Sequence, residues 1–260
     1  MKISIMFILA LLALVGAAEA KVVTKTVEYR QGDTVLEGYL AYDDAVKGKR
    51  PGVLVVHEWT GLGSYVKKRV EQLARMGYVA LGADIYGKGV RPKGQEAAGR
   101  EAGKYKNDRQ LLRARVRAGL YELRRQPMVD AGRLAAIGYC FGGTAVLELA
   151  RSGADVRGMV SFHGGLDTPN PEDGKNIRAK ILVLHGADDP YVPPQQVAAF
   201  QEEMRKGGVD WQMVTYGGAV HSFTNPDAGN DPAKGAAYNE KADRRSWEAM
   251  KQFFAEIFGK

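Results

Sequence analysis

The segment 52–59, GVLVVHEW, constrains the fold most strongly. Its apolar residues run on without the alternation of a half-buried strand, so the segment belongs in a sheet covered on both faces. The period then changes. Val66, Val70, Leu73 and Met76 recur every three or four residues, which predicts a helix that Gly77 ends. YVALGADIY (78–86) is the next strand, and the glycine- and lysine-rich stretch 87–104 reads as a loop or lid. A long helix is expected over 105–125, then a strand over 133–140 and a helix over 144–152. Strands follow at 158–165 and 179–189, a helix at 194–206, a last strand at 211–218 and a closing helix at 238–258. Residues 22–43 read as two strands around the turn Gln31-Gly32-Asp33. The alternation defines an α/β class: a mostly parallel sheet with helices on both faces. No internal repeat or low-complexity linker divides the chain, so one domain is expected over 21–260.

Residues 1–20 are set apart from this pattern. Lys2, the apolar run Ile3–Val15 and the small residues around Ala18 and Ala20 have the arrangement of a secretory signal cut after Ala20. The run is short for a membrane span, and an uncleaved anchor is the alternative. Cleavage implies a periplasmic or secreted protein without a stable membrane anchor. The net charge of +7 comes from clusters such as Lys67-Lys68-Arg69 and Arg109–Arg125, read as solvated faces. In an exported protein that surplus favours anionic surfaces or acidic substrates over nucleic acid.

Cys140 is the sole cysteine, so no internal disulfide is available to it. It sits in GYCFGG (138–143), where a strand gives way to a helix. Gly138-Tyr139-Cys140-Phe141-Gly142 has the spacing of the nucleophile elbow, G-x-S-x-G, with the serine replaced. Small neighbours are needed because the nucleophile rides on a sharp turn at the top of the sheet. An acid and a histidine should follow in that order, each at the carboxyl end of a strand. The segments HGADDPYVP (185–193) and GGAVHSF (217–223) supply them. Cys140, Asp189 and His221 are therefore a candidate triad, with Asp188 the rival acid. His57 and His185 read as satisfied structural groups, His163 as a candidate pocket residue.

With these pieces assembled, the chain resembles the dienelactone hydrolase family. HEWTGL, DIYG, GYCFGG, SFHGG, GADDPYVP and HSF occur in the family's order over roughly 52–225. The resemblance implies an α/β-hydrolase fold and a Cys-Asp-His triad acting on an ester or lactone through an acyl-thioester, with no metal or organic cofactor. It selects Asp189 over Asp188, because Gly186, Asp189 and Val192 fit the family's spacing. It further implies that Glu58 contacts the thiol and helps ionise it when substrate arrives, and that the backbone N–H groups of Trp59 and Phe141 form the oxyanion hole.

Two positions depart from the family. The arginines expected to hold a substrate carboxylate are replaced by Lys88 and Asn225, although Lys88, or Arg91 from the loop, still offers a point charge. The reading is thus a broad ester or lactone hydrolase taking a small, in some cases anionic, substrate. The rivals are a ligand-binding protein that keeps the fold without catalysis and a redox protein built on one oxidisable thiol.

Overall fold

The computed structural model describes residues 21–259. Eight strands form one sheet: β1 (Val22–Gln31), β2 (Thr34–Asp43), β3 (Arg50–Val56), β4 (Val79–Ala83), β5 (Val129–Tyr139), β6 (Gly158–Phe162), β7 (Lys180–Gly186) and β8 (Trp211–Tyr216). Their order is β1-β2-β4-β3-β5-β6-β7-β8. β1 and β2 form an antiparallel hairpin, turned at Gly32 with φ 56°, and β2 is antiparallel to β4. From β4 onward every pairing is parallel. All seven residues of β3 are buried, as the unbroken apolar run requires.

Helices cover both faces. α1 (Ser64–Arg75) and α6 (Glu240–Phe258) enclose a core containing Val53, Val55, Ile137, Val160, Leu184 and Phe254. On the other face lie α2 (Gln95–Asn107), α3 (Arg109–Arg124), α4 (Phe141–Arg151) and α5 (Pro194–Gly207), over Leu54, Val56, Leu81, Ala136 and Val183. No helix among the described residues is long and apolar enough to cross a membrane.

The expected loop at 87–104 and the single helix at 105–125 are both corrected. Residues 95–107 are helical, and Asp108 breaks the chain before α3 and caps it by accepting the Leu111 N–H. Gly99 and Gly103 lower the helix propensity here. Ala98, Ala102 and Tyr105, four and three residues apart, nevertheless bury one face. The basic clusters are also less solvated than expected. Arg69 and Arg115 are both buried, and outside these clusters Arg151 is buried between Glu148 and Glu203.

Candidate active site

The residues of interest line up along one edge of the sheet. Glu58 follows β3, Cys140 follows β5, His163 follows β6, Asp189 follows β7 and His221 lies beyond β8. These five strands are consecutive neighbours, so their carboxyl ends form a continuous row.

Cys140 has φ 55° and ψ −115°, a conformation costly for a residue with a Cβ. Among the described residues, the three non-glycines with positive φ are Cys140, His163 and Ser222, all at this edge. The flanking glycines have a steric cause. A Cβ on Gly138 would stand 2.0 Å from the Gly142 carbonyl oxygen, and one on Gly142 would stand 2.2 Å from that of Val56. The elbow is pressed against its own helix and against β3.

The sulfur of Cys140 lies 3.0 Å from Nε2 of His221. Nδ1 of His221 donates to Oδ2 of Asp189 at 2.8 Å. Asp189 is buried and its Oδ1 accepts the Tyr191 N–H, whereas Asp188 is exposed. The backbone of His221 is held on both sides, donating to Gly235 O and accepting from the Ala237 N–H. Burial opposes the imidazolium, but the electrostatic interaction with Cys140 and the hydrogen bonds to Asp189 and Cys140 prevail, raising the His221 pKa to about 10. Tyr191, 59% exposed, meets the His221 ring edge-on at 5.2 Å and stands at the rim of the site.

Glu58 is buried, and its Oε2 accepts from Nδ2 of Asn225 at 2.8 Å. Burial raises its pKa to about 7 against the opposing effect of that hydrogen bond. Glu58 is thus held by Asn225, while the Cys140 sulfur faces His221. Trp59 is half-buried, and its carbonyl accepts from the Tyr86 hydroxyl. Phe141 is the first residue of α4, so its N–H falls in the turn that lacks an intrahelical acceptor.

Three expected substrate contacts are placed otherwise. Lys88 is exposed and pairs with Glu28 of β1. Arg91 donates to the carbonyls of Leu62 and Val90 and lies 3.6 Å from Asp84. His163 is buried, 1% exposed. Its Nδ1 accepts the Cys140 N–H at 3.1 Å and its Nε2 lies 2.7 Å from the Thr224 hydroxyl. His57 is satisfied: Nδ1 donates to Glu58 O and Nε2 accepts the Ile85 N–H. His185 is buried, but its Nδ1 finds no partner among the described residues.

Sequence reasoning missed Tyr65, Arg69 and Thr224. Arg69 donates through Nε to Tyr65 and through Nη2 to the Thr224 carbonyl and Asp243. Tyr65 and Arg69 are one helical turn apart, a signal hidden inside the lysine-rich run. A cavity of about 1020 Å³ between β1 and α3 contains none of the edge residues. Its Arg113 is already paired with Glu148 and Asp173.

A mostly parallel sheet with a sharp G-x-C-x-G turn and a late Asp/His pair at its carboxyl edge defines an α/β-hydrolase fold. The comparisons narrow this further. The profile of the dienelactone hydrolase family matches residues 36–258, and the chain belongs to that family of hydrolases. A solved structure named "m3DLH" is 44% identical with a TM-score of 0.88, over 91% of this chain and 98% of that one. A "Dienelactone Hydrolase-like Promiscuous Phospotriesterase P91 from Metagenomic Libraries" is 41% identical with a TM-score of 0.87 and the same coverage. A Bradyrhizobium sp. protein named "Probable 2-oxo-3-(5-oxofuran-2-ylidene)propanoate lactonase" is 32% identical over 199 residues, 72% of this chain and 79% of its own length.

Proposed function

We propose that this hydrolase cleaves carboxylic esters or lactones with Cys140 as nucleophile. The observation that carries the reading is the continuous chain from Sγ of Cys140 to His221 to Asp189. His221 takes the thiol proton, and Asp189 holds the imidazolium in place. The thiolate attacks the substrate carbonyl, and the resulting oxyanion is met by the N–H groups of Phe141 and Trp59. Collapse of the tetrahedral adduct breaks the C–O bond, His221 returns its proton to the leaving alkoxide, and an acyl-thioester remains. In a lactone the alcohol stays tethered to the acyl group. Water, with His221 as base, then releases the acid and restores the thiol.

Glu58 keeps a proposed part in activating the thiol. Its pKa of about 7 lets it exchange a proton near neutrality, and breaking its bond to Asn225 is what would free it toward Cys140. Lys88 paired at the surface and Asn225 in an arginine's place favour neutral substrates over carboxylate-bearing ones. A neutral phosphotriester belongs in the same panel, since the P91 relative is named a promiscuous phosphotriesterase. The test is hydrolysis of 4-nitrophenyl acetate, a dienelactone, a neutral lactone and a phosphotriester, before and after iodoacetamide and with Cys140→Ala. Turnover that survives both treatments would exclude Cys140 as nucleophile. A folded protein that alkylates readily yet turns over none of the panel would favour the binding-protein reading.

We further propose export, with cleavage after Ala20. These residues lie outside the described ones, and the N-terminal sequence of the protein recovered outside the cytoplasm tests it. A mature chain that still begins at Met1 would refute it.

A further inference from the structure

His163 is a buried histidine that the proposed reaction does not use, and its surroundings are unusual for a structural residue. It lies between the ends of β5 and β7 in the row of strand termini, with φ 40°. Its two ring nitrogens serve two different catalytic loops. Nδ1 accepts the N–H of Cys140, a donor shared with the Phe162 carbonyl. An imidazole that accepts at Nδ1 while neutral carries its proton on Nε2, so Nε2 donates to Oγ1 of Thr224. Thr224 is fully buried and lies three residues beyond His221. The same hydroxyl is 2.6 Å from that of Tyr65, and the Thr224 carbonyl accepts from Arg69. The far end of the connection is therefore anchored on α1.

The groups facing His163 leave no room for a second cation. His221 meets it edge-on at 5.4 Å, with Tyr139 at 6.1 Å and Phe223 at 5.1 Å. Burial, the charge of His221 and that of Arg69 all disfavour its imidazolium, and its pKa lies well below the ordinary value. Protonation at Nδ1 would also break the bond from Cys140.

We propose that His163 is a positioning residue: a neutral imidazole that ties the strained backbone of the nucleophile elbow to the turn carrying the histidine. Through Thr224 it sets the separation of Sγ and Nε2 on which thiol activation depends. The inference rests on the proposed hydrolase reading but is tested without it. Cys140 is the sole thiol, so its alkylation can be followed directly, with no ester turned over.

The experiment compares Thr224→Val, Thr224→Ser and His163→Asn with the parent. Valine keeps the shape and deletes the hydroxyl, serine restores the hydroxyl, and asparagine tolerates positive φ but is too short to bridge both loops. The readouts are the pH profile of iodoacetamide alkylation, kcat and KM for 4-nitrophenyl acetate, and thermal unfolding. Thr224→Val and His163→Asn are expected to shift the alkylation profile by about one pH unit. Both should also lower kcat by about tenfold or more with little change in KM, as for a misplaced catalytic pair. Thr224→Ser is expected to recover both. An unchanged alkylation profile in a folded Thr224→Val protein would overturn the proposal, as would a Thr224→Ser that behaves like valine. If His163→Asn does not fold, the valine and serine pair decides alone. A Cys140→Ala enzyme that still hydrolyses ester would sink the cysteine-nucleophile reading, while the alkylation result would stand.

Discussion

Glu58→Gln separates a functional carboxylate with a raised pKa from an ordinary buried one. Glu58 is 8% exposed at the end of β3, and burial raises its pKa from an ordinary 4.5 to about 7. Between those values the folded protein holds a proton that the unfolded chain has released. Stability therefore falls as pH rises through this window, with the opposite sign to a salt-bridged carboxylate. At about 1.4 kcal/mol per pH unit, Glu58 alone destabilises the fold by roughly 2–3 kcal/mol on going from pH 5 to pH 8. The substituted glutamine presents the same oxygen to Nδ2 of Asn225 and carries no charge. Urea unfolding of both proteins at pH 5, 6, 7 and 8 should give similar stabilities at pH 5. The variant should become roughly 2–3 kcal/mol the more stable by pH 8. The same variant should lose esterase activity, because a group kept at a cost to stability is kept for function. A stability difference that does not change with pH would refute the assignment of a raised pKa to Glu58. A fully active variant would refute its part in the chemistry.

Three further outcomes follow from the site. Asp189→Asn removes the charge that holds His221, and kcat should fall by about 10²–10⁴ with the protein still folded, as steady-state kinetics and circular dichroism would report. Gly142→Ala places a Cβ 2.2 Å from the Val56 carbonyl oxygen, a backbone atom that cannot move aside alone. It should destabilise the protein by about 3 kcal/mol or more, or prevent folding, as thermal unfolding would show. Asn225→Arg introduces a guanidinium where Asn225 now meets Glu58, and should raise kcat/KM for a carboxylate-bearing lactone over a neutral ester by about tenfold.

Much of the fold was legible because local pattern and tertiary environment agree. The unbroken run in β3 is buried throughout, and the spacing in α1 buries Val66, Val70 and Leu73. In the closing helix Met250 and Phe254 are fully buried and Phe253 and Phe258 nearly so, beside a partly buried Trp247. The stretch 95–107 failed because Gly99 and Gly103 argue locally for a loop, while the burial of Ala98, Ala102 and Tyr105 is a tertiary gain. The basic run 67–69 misled for a similar reason. Lysine and arginine look alike in a charge count, yet Arg69 is buried on Tyr65, Thr224 and Asp243.

The same division holds at the site. Which residues stand at strand ends was written in local pattern: Glu58, Cys140, Asp189 and His221 each come after an apolar run, and chain chemistry there is local. The same pattern set the elbow, since only glycines tolerate the backbone approach at 138 and 142. What those residues touch depends on the packed fold. Strand order, a long-range property, sets β5, β6, β7 and β8 side by side and so brings Cys140, His163, Asp189 and His221 into one row. It turned Lys88 toward Glu28, gave Glu58 to Asn225 and tied His163 to a hydroxyl 61 residues away in the chain. Hydrogen-bond partners and pKa values depend on distances of a few ångströms between segments remote in sequence, and no local pattern encodes them.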